Sequence, residues 1–456
     1  MKFKKISITV ASALLVLSGG ATAAGFALIE QSGSGLGNAY AGGAASAEDA
    51  STIYYNPAGM SRLAGKQMAL AGNMIKPSAK FSGTVTGLAP FETGGTDTGG
   101  DAGSWALVPN AYFAMELNPQ THIGLGINAP FGLVTEYNTN WIGRFEAIKS
   151  KLETINLNPS VSYQFNDTVS LGIGLNYQHV KGELSSSVNY PAAVYGATLA
   201  GALAKSVPLA TAQTAAMTAA TPFANQEGIS TLTGSDNAWG YNLGALFNVS
   251  PQTRLGIAYR SSIKYNLSGS VNFSNIPSGL APSFPTQPVT LAIKLPDSFS
   301  ASAFHQLNDK WEVMADASWT GWSVFKQLDV LKANGSALSS TPENWKDTWR
   351  ISTGATYHYN SQWLSRIGIA YDQTPTSDTY RTPRIPDGDR TWLSIGGQYK
   401  PAKDSALDFG YAHLFVSSST LSQNATANPD LAGKGYLTGS YKNSVDILSM
   451  QYSHSF

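Results

Sequence analysis

The chain of 456 residues contains no cysteine, which excludes a disulfide-stapled secreted scaffold. Charge is scarce: 29 basic and 29 acidic residues cancel, and charged side chains make up 13% of the total, against about a quarter in a typical globular protein. A balance of zero leaves no basic footprint for nucleic acid, and none is expected as a partner. Past the first residues there is no long apolar run, because the Ala-rich stretch 196–220 is broken by Lys205, Pro208 and several Thr and Gln. A spanning helix would need about 20 apolar residues. The signatures of catalysis are missing too, with no G-x-S-x-G elbow, no H-E-x-x-H and no close pair among His122, His179, His305, His358, His413 and His454. The glycines at Gly33, Gly35 and Gly37 fail as a dinucleotide loop at Asn38 and Tyr40. We expect no enzyme, no metal and no cofactor.

What is present begins with an export signal. Lys2, Lys4 and Lys5 precede an apolar stretch, and Ala21-Thr22-Ala23 offers small residues for cleavage, so residues 1–23 read as a signal peptide. After it, segment after segment alternates large apolar residues with Gly, Ser, Asn or Gln. In LGIGLNYQ, Leu171, Ile173, Leu175 and Tyr177 share one face while Gly172, Gly174, Asn176 and Gln178 share the other. Similar runs occur at 122–128, 254–260, 366–371 and 407–415. Alternation alone fits a soluble sandwich as well as a transmembrane barrel.

The connections separate these two. Six are short and polar, at 118–120, 166–167, 250–252, 308–309, 360–362 and 401–404, and between them lie seven longer stretches, at 77–104, 134–151, 184–236, 275–287, 324–346, 374–388 and 417–440. Six turns and seven loops imply fourteen strands with both ends on the short-turn side. That asymmetry belongs to an all-β outer-membrane barrel of antiparallel strands. The last strand alternates to a terminal Phe456, which resembles the assembly signal of such barrels. Trp105, Trp311, Trp322, Trp349, Trp363 and Trp392 lie near strand ends and suit interfacial girdles.

Residues 33–60 are dominated by Gly, Ala and Ser. Alone they cannot offset the roughly 1–2 kcal/mol per residue lost on ordering the backbone. A fourteen-stranded lumen needs filling, so residues 24–65 are expected to form a hatch inside a barrel of residues 66–456.

The segment 24–60, with Gly25-Phe26, Gly35-Leu36-Gly37, Ala39-Tyr40, Asp49-Ala50 and the triplet Asn56, Pro57, Ala58, resembles the hatch of the FadL/TodX-type outer-membrane transporters of long-chain fatty acids and other hydrophobic compounds. The resemblance continues through 128–137, 152–165, 349–352 and 385–394. It implies a passive uptake channel in the outer membrane of a Gram-negative bacterium. Such a channel binds its ligand outside, shifts the hatch and releases the ligand sideways into membrane lipid. Long-chain fatty acids come first, aromatic or aliphatic hydrocarbons are the alternative, and a general porin or an adhesion scaffold built on 184–236 ranks lower. A monomer is expected. The resemblance places Phe26 in the ligand pocket and the lateral opening at Pro130, Phe131 and Gly132. The family's carboxylate-binding basic residues fall on Ser187 and Thr341, a departure from the pattern. Lys181, Arg144 or Lys346 are the candidates to replace them, and Asp387, Asp389 and Arg390 are expected to form an ion network more than a ligand contact.

Overall fold

The structure, a computed structural model, describes residues 25–88 and 94–456; the signal peptide expected at residues 1–23 lies outside them. Fourteen antiparallel wall strands close into one barrel. Strands β1 (Lys66–Leu88) and β2 (Ala106–Asn118) are followed by β3, made of Thr121–Asn128 and Gly132–Glu136. Next come β4 (Lys149–Gln164), β5 (Val169–Asn189) and β6 (Glu227–Asn248). Strands β7 (Thr253–Arg260 and Ile263–Phe273), β8 (Gln287–Leu295 and Ser298–Gln306), β9 (Trp311–Thr320 and Gln327–Lys332) and β10 (Ala337–Pro342 and Thr348–His358) are each interrupted once. The wall is completed by β11 (Trp363–Asp372), β12 (Arg390–Ala402), β13 (Ser405–Val416 and Ser419–Ser422) and β14 (Lys434–Ser455). β14 pairs with β1 from Gln67↔Ser455 to Leu88↔Lys434, which closes the ring.

Exposure settles the choice that alternation left open. Leu171, Ile173, Leu175 and Tyr177 are exposed, while Asn176 and Gln178 are each 1% exposed. Large apolar side chains thus face outward and the polar set faces the lumen, the inverse of a soluble sandwich. Trp105, Trp311, Trp349 and Trp363 stand on the outside as girdle residues should, whereas Trp322 and Trp392 are buried and pack inside.

Several of the stretches read as loops are strand for part of their length. β1 runs on to Leu88, β5 and β6 reach Asn189 and Glu227, and β14 starts at Lys434. Within 184–236 only the centre is non-strand, a hairpin of α1 (Tyr190–Leu203) and α2 (Leu209–Ala220).

The segment before β1 touches the inner face of nearly the whole ring. A Cβ added at Gly172 would strike Ala58, at Gly244 Asn56, at Gly256 Ala44 and at Gly368 Asn38. These glycines are the lumenal counterparts of the alternating apolar residues, and they let two backbones approach where any side chain would hold them apart. The hatch is thin because the wall was thinned to receive it. Asn56 explains the triplet it opens: its Oδ1 accepts from Ala58 N at 3.0 Å, capping the 3-10 turn Pro57–Arg62, and its Nδ2 donates to Ala245 O of β6 at 3.0 Å.

Candidate functional site

The site begins where the wall fails to pair. β3 matches β4 as far as Asn128↔Asn156 and resumes at Gly132↔Glu153, so Ala129, Pro130 and Phe131 face only Thr154 and Ile155. One extra residue makes a β-bulge, which bends its strand. Beyond Ala111↔Ile127, β2 has no strand partner on the β3 side among the described residues, although residues 106–110 still pair with β1. The ladder closes again higher up, where Glu136 N donates to Ala102 O at 3.0 Å. Between these points the wall has a window.

Hatch residues 26–31 cover that window from inside. Leu28 N donates to Pro130 O at 2.8 Å and Gly132 N donates to Phe26 O at 2.9 Å, framing an Ala27↔Phe131 bridge. Gln31 Nε2 donates to Ala129 O, Asn73 and Asn110 both donate to Glu30 O, and Thr154 Oγ1 bonds the Phe131 backbone at 3.0 and 2.7 Å. The polar groups freed by the bulge are therefore satisfied by the hatch and one hydroxyl. One turn further out, Gly25 N donates to Asp387 at 2.9 Å; Asp387 also accepts from Thr374 and pairs with Arg390, while Asp389 caps the same loop through Thr374 N. The three polar residues of 387–390 are an ion and hydrogen-bond network that holds the hatch end.

Phe26 carries the covering segment into an apolar centre. Its ring lies 4.7 Å from Trp322, 5.5 Å from Trp345, 5.7 Å from Phe325 and 6.1 Å from Phe131. Ile263, Tyr265, Ile293 and Leu295 complete a buried cluster around these rings. Phe26 is 2% exposed and fills the pocket itself.

On the long-loop side of this cluster is a vestibule of about 720 Å³, bounded by α1 and the loops. Ser187 and Thr341 line it, as do Glu146, Arg384 and Lys434. Arg384 donates to the carbonyls of Lys149 and Glu146 and to Ser150 Oγ, and among the described residues no carboxylate lies within 4 Å of Arg384 or Lys434. Burial lowers Arg384 to about 10 and raises the Glu146 carboxyl to about 8. The residues put forward from sequence stand elsewhere. Lys181 is exposed on the outer face of β5, Lys346 is exposed in its loop, and Arg144 is committed to Glu227 through two bonds of 2.8 and 2.7 Å. Arg384 and Lys434 were missed because they arrive from the two loops farthest along the chain, where no local pattern marks them.

The family model for the outer membrane protein transport proteins, described as OMPP1/FadL/TodX, matches residues 14–456. The long-chain fatty acid transport protein of Escherichia coli K12 is 32% identical over 450 residues, covering 97% of this chain and 98% of its own. Among solved structures, a Pseudomonas aeruginosa FadL homologue superposes with a TM-score of 0.83 at 28% identity, over 95% of this chain and 100% of that one. The Pseudomonas putida toluene transporter TodX superposes at 0.67 with 18% identity, over 93% and 98%, a likeness of fold alone. The chain is thus no enzyme but a fourteen-stranded barrel of the Gram-negative outer membrane, and it belongs to the OMPP1/FadL/TodX family of outer membrane transport proteins.

Proposed function

We infer that this protein takes up long-chain carboxylate amphiphiles, fatty acids foremost, and releases them through the window into the outer membrane. One observation carries the reading: the residue that fills the apolar pocket, Phe26, also holds the window shut through its carbonyl. A tail that displaces the ring pulls on Gly132 at once. The balance favours long chains, since about fifteen methylenes gain roughly 12 kcal/mol on leaving water, against about 3–5 kcal/mol for the ring contacts and about 1 kcal/mol for each backbone bond lost. Arg384 and Lys434 in the vestibule suit the carboxylate, in place of the cations missing at Ser187 and Thr341. The ring closes on itself through β14 and β1, and the protein acts as a monomer.

A second reading, uptake of aromatic or aliphatic hydrocarbons, draws on the same empty positions 187 and 341 and on a pocket made of rings. A seven-carbon aromatic gains only about 6 kcal/mol by the same measure, close to what it must displace. Solvent extraction of purified protein, with identification of the bound compound by mass spectrometry, tests the choice. Fatty acid supports the first reading, and hydrocarbon alone replaces it with the second.

A further inference from the structure

Beneath the aromatic pocket lies a second cavity, of about 160 Å³, between the hatch and the inner face of β7 to β11. It has two unlike sides. Leu28, Pro130 and Phe131 line it next to the window, while Arg260 and Arg350 line it from strands across the barrel. Arg260 donates to Asn176 and to Tyr54 O and lies 4.2 Å from the Tyr54 ring. Arg350 donates to Ala39 O at 2.6 Å and Ser352 at 3.3 Å. Its Nε is buried without a partner, and the residue is 6% exposed. Among the described residues neither guanidinium forms an ion pair. Asp372 is the one carboxylate among the lining residues, and it too lacks an ion pair.

We propose that this chamber is a transit site in which Arg260 and Arg350 hold the carboxylate of the transported amphiphile while its tail points to the window. The proposal rests on the carboxylate reading above. A guanidinium offers five donors; each of these two has spent only part of its set on carbonyls, amides and hydroxyls, and a carboxylate completes such a fork with two parallel bonds. Unpaired buried cations are costly, so an anion that arrives is held; Asp372 in the lining and Glu30 of the hatch are carboxyls that share the field of Arg350. The cavity matches the volume of about 150 Å³ known to hold benzene. It therefore has room for a head group and the first few carbons, and the remaining chain has to extend into the adjoining window. The tail leaves first and meets lipid while the head group is still solvated by protein.

The alternative is that both arginines only tether the hatch, through Tyr54 and Ala39. Uptake of palmitate and of its methyl ester by cells, and binding of both by purified protein, separate the two roles. Arg260→Met and Arg350→Met are expected to slow palmitate uptake about ten-fold, the loss of one charge-assisted bond, and methyl ester uptake by less than about two-fold. Arg350→Lys should restore most of the palmitate rate. Among the described residues Asp372 makes no hydrogen bond or ion pair to the hatch, so Asp372→Asn should raise palmitate affinity about three-fold without changing the ester. If removing the tethers raises conductance in planar bilayers, Asp372→Asn and Arg350→Lys carry the test alone. Equal slowing of both probes, or no effect of Asp372→Asn, overturns the transit site. A parent protein that takes up the ester and not palmitate overturns the carboxylate reading itself, which is a different result.

Discussion

The hatch is two structures in one segment, and the contrast lies in how each is held. Residues 33–63 are bolted to the wall by charged and close-packed contacts. Arg366 of β11 pairs with Glu48 of the hatch at 2.8 Å and with Asp408 of β13 at 2.6 Å, Arg254 donates to Ala45 O and Ser46 O, and inward glycines receive the backbone. Residues 26–31 depend on hydrogen bonds to the bulge and to the side chains of Asn73, Asn110 and Tyr112, with no charged partner among them, and on one ring among other rings. A displacing ligand needs to supply only what the second set supplies. A channel can be gated without unplugging it, provided the weak half of the plug is the half that meets the ligand.

The comparison breaks most completely if the weak half is made strong. Ala27 and Phe131 form a bridge flanked by hydrogen bonds on both sides, and such a pair has Cα atoms about 4.5 Å apart, within disulfide range. With no native cysteine to interfere, Ala27→Cys with Phe131→Cys should abolish uptake when oxidised and restore it on reduction. Uptake that persists in the oxidised protein would mean the segment does not move.

Weakening the strong half comes next. Arg366→Leu leaves Asp408, 1% exposed, buried without its cation and should cost about 3–5 kcal/mol. The measurement is the urea midpoint of the folded barrel, together with leak conductance, which should rise. An unchanged midpoint would show that the lower hatch is not bolted by this pair.

Phe26→Ala sharpens the contrast from the other side. A residue-by-residue resemblance suggests that Phe26 contacts ligand, and losing it would then weaken binding. The geometry gives the opposite sign, since the ring occupies the pocket and must leave. Palmitate affinity should rise about ten-fold, measured by titration of purified protein, and weaker binding would return Phe26 to the contact role.

The smallest effect concerns the vestibule. Glu146, pushed up to about 8 by burial, is neutral at neutral pH and becomes anionic as pH rises through that value, which offsets the charge of Arg384. Palmitate affinity should fall about three-fold between about pH 7 and 9, and Glu146→Gln should flatten the profile.

Much of this was legible beforehand, for identifiable reasons. Turns at Asn166-Asp167 or Asn308-Asp309 mark the strands because a lipid-facing strand must alternate, and the resemblance drew attention to Phe26 and Pro130-Phe131-Gly132, which the fold brings together at the bulge of β3. Strand length was not legible: past Met74, β1 turns its outer face to Ser78, Lys80 and Ser82, which water accepts as readily as lipid refuses them. The apolar signal stops there while the ladder continues. The vestibule cations were hidden for another reason, since Arg384 and Lys434 converge only through tertiary folding. Trp322 and Trp392 show the same limit, as a tryptophan near a strand end reads alike whether it turns toward lipid or into the lumen.

The seam between β1 and β14 carries a consequence for biogenesis. It pairs twenty-one positions, as many as the β5–β6 register, and its two strands are separated in the chain by the twelve others. The ring therefore cannot close until all fourteen strands have been delivered, and high contact order of this kind makes for slow folding. The hatch precedes β1 and packs against the inner face of nearly the whole ring, so its contacts are complete only once the seam has zipped. The last contacts of the plug and the closure of the barrel therefore complete together, after the final strand has arrived.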